Sequence, residues 1–129
     1  MKKVLIIGAS GFVGSYCFNK FSEDNQLEIE GTRNFGLNKN LSKIDYTDSL
    51  AFSDFINKSR PDCIVWSAGL KKLSLTEKDF ELACKQNFYP IKTIVNYQED
   101  HKDVCLIFIS TDYVFNGSRG NYKSLDSVN

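Results

Sequence analysis

The sequence predicts a doubly wound parallel α/β sheet of about five strands in the spatial order 3-2-1-4-5. Three observations carry that reading. Short, uninterrupted apolar runs stand at Val4-Leu5-Ile6-Ile7, Cys63-Ile64-Val65-Trp66 and Leu106-Ile107-Phe108-Ile109. Stretches with helical periodicity separate them, and glycines at three-residue intervals follow the first run directly. An unbroken apolar run is how a strand covered on both faces reads, because neither side of the pleat meets water. A length of 129 residues leaves room for one domain around one sheet.

Taken in order, Lys3 to Ile7 is the first strand. After the glycines, Val13, Tyr16, Cys17 and Phe21 recur at helical spacing and predict a helix from Phe12 to about Ser22, with Tyr16 packed in its apolar stripe. Leu27, Ile29 and Gly31 alternate with Glu28 and Glu30, so Leu27 to Thr32 reads as a second strand with one polar face. The polar stretch from Asn34 to Ser42 is a loop, and a very short third strand is expected near Lys43 to Asp45. Leu50, Phe52, Phe55 and Ile56 mark a helix between Thr47 and Lys58, ended by Arg60-Pro61. The fourth strand, Cys63 to Trp66, leaves through Ser67-Ala68-Gly69, whose small side chains make room for a ligand. Thr76 and Asp79 have capping-box spacing ahead of a helical pattern reaching Val95, which Pro90 is expected to kink or split. Val104 to Ile109 is the last strand, and everything after Gly117 reads as loop.

Sixteen Lys and Arg balance sixteen Asp and Glu, so no global field draws the chain to nucleic acid or an anionic membrane, and any anion site must be local. Cys17, Cys63, Cys84 and Cys105 lie far apart with no C-x-x-C pair, which points to buried reduced thiols and to neither a disulfide framework nor a metal site. The apolar stretch from Met1 to Gly8 is too short for a signal peptide or a membrane span, so a cytoplasmic location is expected.

Gly8-Ala9-Ser10-Gly11-Phe12-Val13-Gly14 carries the strongest chemical signal. Gly8 suits the positive φ of a tight turn, Gly11 lets a phosphate approach without a Cβ in the way, and Gly14 lets helix and strand pack closely. Free amides at the helix start, with the positive end of its dipole, then favour a dinucleotide pyrophosphate. The context of strand, turn and helix makes this a Rossmann reading, with Ser10, Phe12 and Val13 supplying the remaining contacts. An NAD site usually ends its second strand with an acid; here that end is Gly31-Thr32-Arg33. Arg33 offers a 2′-phosphate a planar fork of donors, so Thr32 and Arg33 point to NADPH, with NADH as the other candidate.

Ser110-Thr111-Asp112-Tyr113-Val114-Phe115-Asn116-Gly117, followed by Gly120-Asn121-Tyr122 and Asp126, resembles the dTDP-4-dehydrorhamnose reductases, which belong to the extended short-chain dehydrogenase/reductases. The similarity runs from Gly8 to Asn129 and includes Arg60-Pro61-Asp62. The resemblance implies that Thr111 helps hold the sugar carbonyl oxygen beside the nicotinamide, and that Asp112 and Tyr113 shape the substrate pocket. It also implies that Asp45 and Tyr46 lie near the adenine, that Ser67, Ala68 and Gly69 line the cofactor cleft, and that Asn87 supports the water network of the site. Ser124 stands where the family has a glutamate, and Trp66-Ser67 where it has an alanine-rich or asparagine-containing exit.

The family's proton donor is a Tyr-x-x-x-Lys pair on the next helix, past Asn129. Within these residues only Tyr16 and Lys20 have that spacing, and they belong to the first helix. No reductase activity is therefore expected of these 129 residues alone. The expected function is the NAD(P)H-binding part of a reductase of a nucleotide-linked 4-keto-6-deoxysugar, in polysaccharide synthesis. A non-catalytic NAD(P)-binding regulatory module and a nucleotide-sugar epimerase or dehydratase are the alternatives. The expected partner is the nucleotide-sugar substrate, with a homo-oligomer through an exposed sheet edge as a second association. His101 reads as a solvated loop residue, and Lys71-Lys72 as either a solvated pair or a diphosphate contact.

Overall fold

The computed structural model describes residues 1–128. Its central strand, β1 (Lys2–Ile7), decides the layering, because successive side chains leave opposite faces of the pleat. Leu5 and Ile7 enter one core cluster with Phe52, Ile56, Ile64, Trp66, Ile94 and Tyr97. Val4 and Ile6 enter a second with Ala9, Leu41 and Val65. The unbroken apolar run of β1 is thus the sum of two alternating patterns, one for each covered face.

Around β1 the strands β2 (Leu27–Arg33), β3 (Ser42–Lys43), β4 (Cys63–Trp66) and β5 (Cys105–Phe108) form one sheet in the order β3-β2-β1-β4-β5, as expected. All four pairings are parallel. Helix α1 (Phe12–Phe21) covers the Val4/Ile6 face through Cys17 and Phe18, and Phe21 packs there too. On the other face lie α2 (Ser49–Ser59), with Phe52 and Ile56, and α5 (Tyr89–Asp100), with Ile94 and Tyr97. Two short helices, α3 (Leu73–Thr76) and α4 (Phe80–Asn87), lead into α5. Pro90 falls in the first turn of α5, where its missing N–H costs nothing, so it splits the helical stretch at Phe88.

Several expectations are corrected. Tyr16 is 71% exposed and does not share the packed stripe of α1, because α1 turns only Cys17, Phe18 and Phe21 onto the sheet. Thr76 ends α3, and the cap of α4 is Asp79, whose carboxylate accepts the Leu82 N–H at 2.8 Å. β5 is the sheet edge, and α1 lies toward the opposite end of its face. Ile107 (45% exposed) and Cys105 are therefore open to solvent despite the apolar run. The other three thiols are half-buried, so a fully buried set is not observed. His101 is exposed just past α5, as expected, where it caps the helix and stacks on Tyr97 with ring centroids 4.1 Å apart.

Candidate functional site

At the carboxyl ends of β1 and β4 the backbone turns sharply. Gly8 has φ +90°, and a Cβ there would meet Ala68 N at 2.9 Å, so both the conformation and the space demand glycine. The Gly8 carbonyl accepts the Gly11 N–H at 2.9 Å, closing the turn. A Cβ on Gly14 would fall 2.1 Å from that carbonyl oxygen, which is why the helix can approach the strand only at a glycine.

The start of α1 differs from those of α2 and α4. Asp48 and Asp79 cap the latter two with carboxylates. Helix α1 begins at Gly11, which has no side chain to cap with, and its first turn holds no acid. First-turn amides of a helix have no intrahelical acceptor, and they carry the positive end of the dipole. Phe12, 93% exposed, and the exposed Ser10 stand beside them, so an anion can reach these amides from solvent.

The peptide that enters the turn is held from both sides. The Ile7 carbonyl accepts from the Ser67 hydroxyl at 2.9 Å and from the Ser67 N–H at 3.0 Å. The Gly8 N–H donates to the Thr32 hydroxyl at 3.1 Å. Thr32 is only 1% exposed, so it reaches the turn by supporting its backbone. The neighbouring Arg33 folds over the following loop, where Nε donates to the Asn38 carbonyl at 2.8 Å and Nη1 to the Gly36 carbonyl at 2.7 Å.

Beside the turn, a cleft of about 710 Å³ brings together Val13, Ser67, Ala68, Gly69, Asn87, Thr111, Asp112 and Tyr113, eight of the residues expected from the sequence. Trp66 and Lys71 also line it, whereas Gly8, Ser10, Gly11, Phe12, Gly14, Thr32, Arg33, Asp45 and Tyr46 do not. Leu70, the strand residue Phe108 and Ile109 just beyond it line it without having been assigned a role in the site. Their only signal in sequence was adjacency to the strand exits.

Asn87 has a specific job here. Its Oδ1 accepts the Leu70 N–H at 2.7 Å and its Nδ2 donates to the Leu70 carbonyl at 3.1 Å, so the amide fixes the β4 exit. One residue earlier, Gln86 accepts the Tyr46 hydroxyl at 3.0 Å. Burial pushes the Tyr46 phenol above its ordinary pKa, and Asp45 adds to the rise. The hydroxyl and amide of Thr47 hold the Asp45 carboxyl below its ordinary value, with Lys85 contributing, so Asp45 is anionic at neutral pH.

At the β5 exit, Thr111 caps a single 3₁₀ turn (Asp112–Val114), its hydroxyl accepting the Tyr113 N–H at 3.3 Å. The loop beyond closes on itself. Phe115 and Tyr122 stack 4.5 Å apart, Tyr122 donates to Asn116 at 2.7 Å, and Arg119 pairs with Asp126 at 2.9 Å. Residues 115–126 therefore hold one another through side chains of the motif that carried the resemblance.

A family model described as RmlD substrate binding domain matches residues 1–129. The chain belongs to the RmlD substrate-binding-domain family. Among curated proteins it is 27% identical to methionine adenosyltransferase 2 subunit beta of Danio rerio, over 99% of the chain and 38% of that protein. Among solved structures it is 36% identical to a hypothetical dTDP-4-dehydrorhamnose reductase from Sulfolobus tokodaii, with a TM-score of 0.90. That match covers 100% of this chain and 46% of the other. A dTDP-4-dehydrorhamnose reductase from Bacillus anthracis, solved in complex with NADP, is 26% identical with a TM-score of 0.73, over 92% of this chain and 40% of that one. This RmlD-family chain spans less than half the length of each.

Among the described residues no helix is long and apolar enough to cross a membrane, and no group of three or more His, Cys, Asp or Glu is placed to hold a metal ion.

Proposed function

We propose that this chain is the NADPH-binding part of a cytoplasmic reductase acting on a nucleotide-linked 4-keto-6-deoxysugar. The observation that carries the reading is the uncapped start of α1 at Gly11, over a turn that only glycines can form, at the carboxyl end of a parallel strand. Gly8, Ser10, Gly11, Phe12, Val13 and Gly14 receive the diphosphate. Arg33 turns from its loop carbonyls to the 2′-phosphate, with NADH as the weaker ligand. Asp45 and Tyr46 face the adenine, and Ser67, Ala68 and Gly69 border the nicotinamide half.

NADPH, when bound, supplies hydride. The chain's own contribution is placement. Thr111 holds the carbonyl oxygen, while Asp112 and Tyr113 border the sugar in the shared cleft. The only Tyr-x-x-x-Lys pair, Tyr16 and Lys20, lies on α1 outside that cleft, so these residues supply no tyrosine–lysine acid for the alkoxide. The reductase reading is preferred to a regulatory one because the hypothetical dTDP-4-dehydrorhamnose reductase from Sulfolobus tokodaii is 36% identical, against 27% for the adenosyltransferase subunit. Self-association through the β5 edge, where Phe108 is 51% exposed, belongs to the same proposal and predicts concentration-dependent sedimentation.

Calorimetry with each nucleotide tests the reading. NADPH should bind more tightly than NADH, and Arg33→Ala should weaken NADPH about tenfold while leaving NADH unchanged. A folded sample that binds neither nucleotide overturns the proposal.

A further inference from the structure

We propose that Thr32 is a positioning residue for the diphosphate turn, acting through the Ile7–Gly8 peptide; this rests on the nucleotide-binding reading above. That peptide unit joins the last residue of β1 to the first glycine, so its plane sets the direction in which the turn departs. Its oxygen is held from the β4 side by the hydroxyl and amide of Ser67, at 2.9 and 3.0 Å. Its N–H is held from the β2 side by the Thr32 hydroxyl, at 3.1 Å. The oxygen therefore has two partners from one residue, and the hydrogen has one.

Loss of the Thr32 hydroxyl takes away the side-chain acceptor of the half-buried Gly8 N–H. Thr32 is 1% exposed. There is little room for a water to replace the bond. The Gly8 carbonyl, one atom group further on, accepts Gly11 N–H and bounds the space closed to a Cβ at Gly14. A rotation of the Ile7–Gly8 plane is therefore passed directly to Gly11, where the uncapped amides begin. Valine would satisfy the strand and the packing at position 32 as well as threonine does, so only the hydroxyl distinguishes the two.

The test compares Thr32→Val with Thr32→Ser by calorimetry, using NADPH and NADH on the full chain. The valine variant should bind both nucleotides about tenfold more weakly with their ratio unchanged, because one half-buried bond is lost and neither nucleotide is touched. Serine restores the acceptor and should bring affinity back to within about twofold of wild type. Amide exchange at Gly8 should be slow in wild type and the serine variant and fast in the valine variant. Should valine fail to fold, Thr32→Ala is read against serine in the same way. Unchanged affinity in a folded valine variant, equal loss in serine and valine, or a loss confined to NADPH each overturns the inference. A wild-type chain that binds neither nucleotide instead removes the reading beneath it.

Discussion

The exits of β1 and β5 are the same kind of feature, the carboxyl end of a parallel strand, yet they are built differently. At the β1 exit the entering peptide is held by neighbours on both sides, Val4 to Ile7 before it are buried, and Gly8 and Gly14 each answer to a close obstacle. At the β5 exit, Phe108 and Ile109 are 51% and 42% exposed, Tyr113 is 69% exposed, and among the described residues the Thr111 hydroxyl bonds only within its own turn. A central strand has two neighbours and two covered faces, whereas an edge strand has one neighbour and, here, one covered face. The lesson is that the cofactor half of the site is held from both sides by neighbouring strands, whereas the substrate half is tied to one neighbour, through the Ile109 N–H to the Trp66 carbonyl at 3.0 Å, and beyond that by local bonds.

Four measurements sharpen or break that contrast. The largest effect is expected at the tightest contact. Gly14→Val places a Cβ 2.1 Å from the Gly8 carbonyl and should cost roughly 4 kcal/mol or more, read as a lowered Tm; wild-type stability would show that helix and strand do not meet there. Next, Ile64→Ala in the buried β4 should cost about 3 kcal/mol, while Ile107→Ala in β5, 45% exposed, should cost less than about 1 kcal/mol. Equal losses in denaturant titrations would erase the difference between the two ends of the sheet.

Gly11→Leu tests the turn alone. Its Cβ meets only the Gly8 oxygen at 3.3 Å, so the fold should survive while nucleotide affinity falls by roughly a hundredfold, about 2.7 kcal/mol. Retained binding would mean that the ligand does not approach the backbone there. The smallest effect concerns Glu30, on the polar face of β2. Burial opposes its charge, but bonds from Ser59 and Lys3 outweigh that and hold the carboxyl below its ordinary value of 4.5. A folded pKa below the unfolded one means that Glu30 stabilises the fold above 4.5 and ceases to do so as pH falls through the lowered value. Glu30→Gln should flatten the fall in Tm over that acid window, and an unchanged slope would remove Glu30 from the balance.

Strand order, the split at Pro90 and the role of Gly8 were legible because each has a local cause: an apolar run, a missing N–H, a backbone that needs positive φ. The exposure of Tyr16 was not, since helical spacing shows that residues share a face without showing how much of that face the sheet reaches. Nor was the transfer of the cap from Thr76 to Asp79, because both residue types suit the position and only the path of α3 chooses between them. Asn87 lines the cleft, and its pairing with Leu70 depends on a contact seventeen positions away.

By itself, the sequence determined the sheet, its order and the glycine turn, because periodicity and backbone freedom are properties of neighbours along the chain. The hydroxyls of Thr32 and Ser67 meeting on one peptide, the loop amides held by Asn87 and the openness of β5 were decided only by tertiary structure. Each depends on which segments lie side by side, and hydrogen bonding and burial are set by that adjacency.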